Sequence, residues 1–264
     1  MVRRYAVLYY QFFLQAVKVW LEYRMDFIIG ALSVILVQFT SIYFVTVVFN
    51  HISSLNGWDF YQILFIYGIA SSGRSIHHLF FDNLWTLGWQ YVQPGAFDRL
   101  LIRPVNPLFH VIADRVQQDG FGQLAVGIAV LIISIPHLHY AWDVWSVIVL
   151  LLLILSSGMI FVAINLFFAS FSFWMVDSSP LIVAVFQLSM FSRYPLTIYN
   201  KGIRFLLTWI IPYGFTAFYP AAYFVQHRIY VTYAIWTPIV AVLACALAYR
   251  FWQRGVQAYS GTGS

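Results

Sequence analysis

Residues 95–109 read GAFDRLLIRPVNPLF. Three charges and two prolines are set around four bulky apolar residues, in a chain of which only 9% is charged. Pro94-Gly95 is a turn signal and Pro104 stops a helix. Between them AFDRLLIR fills about two helical turns. Phe97, Leu100 and Leu101 share one face at i, i+3, i+4, with Asp98 and Arg99 pointing elsewhere. The stretch reads as a short amphipathic helix between two hydrophobic ones. It is either a knob whose apolar face enters a groove on a partner or a helix lying flat at lipid headgroups.

Working outward, the 264 residues are 62% hydrophobic and 20% aromatic. A soluble domain carries about 25% charged residues, so this is an integral membrane protein. Its long segments are apolar all round, without the alternation of a membrane barrel, and read as helices. The net charge of +5 suits cytoplasmic loops. No basic stripe with interleaved aromatics suggests nucleic acid. The single cysteine, Cys245, excludes an internal disulfide and reads as packing. Lys18, Glu22 and Arg24 interrupt any signal-peptide core.

The expected fold is an all-α membrane protein with six transmembrane helices, at 27–49, 59–81, 110–135, 144–174, 181–198 and 229–249. Residues 1–24 suit an interfacial amphipathic helix, or else an extension of the first span. Residues 88–107 form the loop between spans two and three, 175–180 a tight turn, and 199–228 a segment too polar and proline-broken to span simply. Arg3, Arg4, Lys18, Arg24, Arg99, Arg103, Arg250 and Arg254 then fall on one side, while the loops 50–58 and 136–143 carry no Lys or Arg. The positive-inside rule makes both termini cytoplasmic. Lys201, Arg204 and Arg228 are exceptions.

This orientation places Arg74, His77, His78 and Asp82 near the inner end of span two, and Asp114, Arg115 and Asp119 near that of span three. They line an inner vestibule, or they are solvated charges at protruding helix ends. Arg193 lies about 20 Å into span five, facing a pathway or pairing with backbone carbonyls. His77-His78 and His137-x-His139 are weak metal patterns, and no metal is expected. Gly68-x-x-x-Ser72 permits close helix packing. There is no G-x-x-x-x-G-K-[ST], so no P-loop nucleotide site, and the ionisable residues form no familiar catalytic set. The abundant aromatics suit amphipathic cargo, and equally suit membrane interfaces.

Two blocks carry a resemblance. One is Gly95-Ala96-Phe97-Asp98-Arg99-Leu100-Leu101-Ile102-Arg103-Pro104 with Asn106-Pro107. The other is Phe191-Ser192-Arg193-Tyr194-Pro195, with Ile211-Pro212 and Tyr219-Pro220 downstream. Over nearly its whole length the chain resembles a permease subunit of an ABC-2-type ABC transporter (type V exporter-like), of a bacterial six-span subfamily. The resemblance implies that 95–104 is a coupling helix docked on a separate ATPase, present in two copies and holding the ATP and Mg, with no cofactor in this chain. Phe97, Asp98, Leu100, Leu101 and Arg103 become the expected ATPase contacts, and Arg193, Tyr194 and Pro195 a pathway or gate. It further implies outer re-entrant helices over 199–228, a second permease as homo- or heterodimer partner, and export of a drug- or lipid-like substrate across the bacterial inner membrane. The competing readings are a proton-coupled secondary transporter, a membrane-embedded enzyme and a non-transporting membrane partner.

Overall fold

A computed structural model describes residues 2–175, 178–225 and 228–261, with no β-strand among them. Part of the turn at 175–180, two residues of the segment 199–228 and the last three residues lie outside the described set. Helices α1 (Val2–Glu22) and α2 (Arg24–Phe49) meet at one kinked residue, Tyr23 (φ −101°, ψ 48°). Backbone bonds of 2.9 and 3.2 Å bridge the joint. In α2 only Gln38 and Val45 are fully buried, and more than half of the helix's residues are exposed.

The chain reverses through Asn56 (φ 52°) and Gly57 (φ 86°), consecutive left-handed residues that an Asn-Gly pair tolerates. Trp58, 1% exposed, closes the turn. Asp59 and Gln62 then form a reciprocal capping box, satisfying two orphan donors at the start of α3 (Phe60–Phe80). This helix is the hub of the fold. It packs mainly on α6 (Gly120–Ser134) and α7 (Val144–Ala169). The contact is close because the residues are small: Gly68 faces Gly127 and Leu131, and a Cβ on Gly127 would sit 2.9 Å from the backbone nitrogen of Ser72.

Between α3 and α6 run a 3-10 turn (Asp82–Thr86), a π turn (Leu87–Val92), α4 (Asp98–Leu101) and α5 (Pro107–Ala113). After α7 come α8 (Ser179–Leu188), a 3-10 turn (Ser189–Arg193) and α9 (Lys201–Phe205). A second π turn (Leu206–Ile210), a 3-10 turn (Tyr213–Thr216) and α10 (Phe218–Val225) lead to α11 (Arg228–Ala258). Apolar side chains gather in a cluster at each end of the bundle. One surrounds Trp58, Phe65, Phe218 and Phe224, and the other Leu84, Phe97, Phe173 and Trp252.

Four helical stretches are long and apolar enough to cross a membrane: Arg24–Phe49, Gly120–His137, Val144–Phe173 and Tyr230–Ala258. The chain is thus a multi-pass α-helical membrane protein. Three expected spans differ from expectation: the one expected over 59–81 forms helix α3 (Phe60–Phe80) but is not among these four. The helix expected over 110–135 is broken between α5 and α6, and the candidate span begins at Gly120. There Val116 is buried and the Gln117 N–H donates to the Leu79 carbonyl at 3.2 Å. That contact ties the break to the end of α3. The helix expected over 181–198 ends at Arg193. Pro195 lacks an N–H and forces Tyr194 into extended backbone (φ −125°, ψ 158°). The remainder, α8 plus its 3-10 turn, still rises about 25 Å. The helix expected between Gly95 and Pro104 is also shorter than expected: α4 is a single turn of 4 residues.

Candidate functional site

Two regions gather the chemistry. The first is the knob between α3 and α6. Gly95 (φ 68°) turns the chain, and the Phe97 N–H donates to the Tyr91 carbonyl at 2.8 Å. The Phe97 ring, 0% exposed, meets Phe173, Tyr259 and Trp252 at centroid distances of 5.1, 5.2 and 6.0 Å. Leu100 is 5% exposed in the same cluster. Neither side chain lies on the surface, as the one-face helix reading expected. They anchor α4 to α7 and α11, while the free tip is Leu101 (43% exposed) and Ile102 (84% exposed). Asp98 and Arg103 flank that tip on the exposed side.

A polar strut supports the knob. Asn83 Nδ2 donates to the Tyr91 hydroxyl at 2.9 Å and to the Val111 carbonyl at 2.6 Å, and the Tyr91 hydroxyl donates to Asp114 Oδ2 at 2.5 Å. Burial, and then the Asp114 contact, push the Tyr91 phenol above its ordinary range. Arg103 meets His110 across α4 and α5. Burial first, and the Arg103 charge second, hold His110 below its ordinary value.

The second region is a cleft of about 210 Å³ between α2, α3, α6 and the Ser189–Arg193 turn, lined by Val37, Gln38, Arg74, His78, Gln123 and Arg193 among others. Arg74 reaches Ser189 Oγ at 3.5 Å and covers the Phe186 ring at 4.0 Å. Arg193 lies over the Tyr67 ring at 5.4 Å. The Tyr67 hydroxyl donates to Gln38 Oε1 at 2.5 Å. Among the described residues the one ion pair is His78 with Asp82, at 3.9 Å. The two arginines therefore share the cleft without a carboxylate within 4.0 Å.

The six expected vestibule residues are not one group. Arg74 and His78 line the cleft, and His77 is buried away from it. Asp114 belongs to the strut and Asp119 accepts from Gln117 at 3.0 Å, while Arg115 is exposed. The break between α5 and α6 carries these three off the helix that was expected to align them. Arg193 instead joins Arg74. Tyr194 lines a separate apolar cavity of about 240 Å³ with Val45, Phe49 and Tyr199, and Pro195 is buried beside it in sequence. Gln38 and Tyr67 went unnoticed in the sequence. A lone amide inside the apolar run 27–49 was the available signal for Gln38. Among the described residues no group of three or more potential ligands suits a metal ion.

Residues 35–263 match the family described as ABC-2 family transporter protein. The match covers most of the chain, and this protein belongs to that family. It is a membrane permease component of an ABC transporter and works with an ABC ATPase. No curated protein and no solved structure matched the chain.

Proposed function

We propose that the chain is one of two permease subunits of an ABC exporter that moves an amphipathic, drug- or lipid-like substrate across the bacterial inner membrane. Two copies of a separate ATPase subunit, holding ATP and Mg, dock on the α4 knob and supply the power. In this reading α2, α3, α6, α7, α8 with its 3-10 turn, and α11 make six crossings with both termini cytoplasmic. The broken helices from α9 to α10 fold back near the outer face. There their backbone is satisfied within protein, as irregular backbone at membrane depth requires.

One observation carries the reading. A bare apolar tip, Leu101 and Ile102, stands on a single helical turn whose other side is locked into the core by Phe97 and Leu100. A large apolar side chain at 84% exposure on a rigid mount suits insertion into a partner's groove, and buried apolar anchors carry most interface energy. The bare surface of α2 supports a second permease or lipid as its cover.

The test is purification of the tagged protein from its native membranes in mild detergent, wild type against Ile102→Asp. An ATPase that accompanies the wild type and is lost from a folded Ile102→Asp variant supports docking on the tip. Equal recovery from both overturns it.

A further inference from the structure

The cleft holding Arg74 and Arg193 has a chemistry that docking does not use. A guanidinium at membrane depth is expensive and is normally paired. Here two share about 210 Å³. Arg74 has only a long 3.5 Å bond to a hydroxyl and the Phe186 ring. Arg193 makes no hydrogen bond among the described residues and rests on the Tyr67 face. The nearby acids are engaged: Asp82 with His78 and Asp119 with Gln117.

A third donor is also idle. Gln38 is 2% exposed and lines the cleft; its Oε1 accepts from Tyr67, and its Nε2 has no partner. A buried amide N–H₂ left unsatisfied costs about 1–3 kcal/mol. Its burial is explained if something that accepts hydrogen bonds occupies the cleft. Two guanidinium groups are donors only, and together with the unpartnered amide N–H₂ of a lining residue they favour an anion.

Size and surroundings add the second half. The cleft is below the roughly 300–1,000 Å³ of a site that encloses a drug-sized ligand, so it takes a head group alone. The apolar cavity lined by Val45, Phe49, Tyr194 and Tyr199 lies along the same helix α2. From Gln38 to Val45 is about 10 Å along the helix axis at 1.5 Å per residue. That is within reach of a medium alkyl chain anchored at the arginines.

We propose that this cleft binds the anionic head group (phosphate, sulfonate or carboxylate) of an amphiphile whose apolar body lies along α2. The assignment rests on the permease reading for its role and names the substrate class: an anionic amphiphile, not a cationic one.

Dodecyl phosphate is the probe. Thermal unfolding of the permease–ATPase complex is followed in maltoside detergent with dodecyl phosphate, inorganic phosphate or dodecyltrimethylammonium. Dodecyl phosphate should raise the unfolding temperature and stimulate ATP hydrolysis. The Arg74→Gln/Arg193→Gln variant should need at least about tenfold more of it, since charge-assisted hydrogen bonds are lost. Arg193→Gln alone, which removes a charge without a hydrogen-bonded partner, should weaken binding without lowering the apo unfolding temperature. Arg74→Lys, which keeps the charge, should retain part of the response.

An equal shift with dodecyltrimethylammonium, or in the double variant, overturns the anion site. An equal shift with inorganic phosphate overturns the amphiphile and leaves only a free-anion site. A complex that assembles and hydrolyses ATP without responding to dodecyl phosphate overturns the inference while the permease reading stands. A protein that recovers no ATPase overturns the permease reading, whatever it binds.

Discussion

Replacing Phe97 by alanine separates the two roles open to this residue. The sequence suggests a surface contact to the ATPase, whereas in the fold Phe97 is 0% exposed among Phe173, Tyr259 and Trp252. As an internal anchor, Phe97→Ala should cost about 3–5 kcal/mol, through lost transfer energy plus the cavity left behind. For 264 residues with an unfolding entropy of about 2.1 cal/mol/K each, the unfolding temperature falls by about 5–9 °C. Phe97→Leu keeps most of the volume and should lose a fraction of this. Ile102→Ala, at a tip 84% exposed, should stay within about 0.5 kcal/mol of wild type in the isolated permease. Scanning fluorimetry of the purified permease without its ATPase reads all three. If Phe97→Ala unfolds within 1 °C or so of wild type yet loses the ATPase, the ring is a partner contact and the anchor argument is refuted.

Two further outcomes follow from the packing and the electrostatics. Gly127→Ala places a Cβ 2.6 Å from Ser72 Oγ and 2.9 Å from its backbone nitrogen. A clash of about 3 kcal/mol outweighs the about 1 kcal/mol gained in helix propensity, and an unfolding temperature at or above wild type would contradict so close an approach. His110 sits below its ordinary value of 6.5 because it is partly buried beside Arg103. The unfolded chain then binds the proton more readily than the folded one, so stability is level above about pH 6.5 and declines as pH falls toward the folded value. A His110→Gln variant should flatten that acid-side decline in unfolding scans between about pH 5 and 8, and an identical slope in both proteins would assign the effect elsewhere.

Helix content and the knob's location were legible because both rest on local pattern. Unbroken apolar runs mark α2 and α7, and Pro94-Gly95 with Pro104 brackets α4. What failed was long-range. Nothing in AFDRLLIR says that Phe97 would meet Trp252 from the far end of the chain, so an amphipathic face looked free when α7 and α11 already covered half of it. The run 110–135 is apolar enough to span but for DRVQQD, and its break depends on a backbone bond to Leu79 that composition does not encode. Arg74 and Arg193 were assigned to opposite halves of the membrane by counting residues along separate helices. In the fold both line one cleft. Sequence spacing measures height along one helix and says little about which neighbours converge.

The glycine contacts between α3 and α6 bear on how such a molecule can move. With Gly127 against the Ser72 backbone and Gly68 against Leu131 and the Gly127 carbonyl, the two helices approach main chain to main chain at Gly127, with little side chain there to take up slack. Sliding one past the other by a single residue, about 1.5 Å, would drive a side chain into peptide atoms. Surfaces packed this tightly shift between discrete arrangements and do not deform gradually. The pair is therefore stiff, and a push delivered at the knob, as the docking proposal requires, would have to be absorbed where the helices are jointed: at Tyr23, at the break before Gly120 and at Pro195. All three joints border elements that line the arginine cleft, so a stroke that flexes them would change the shape of the cleft.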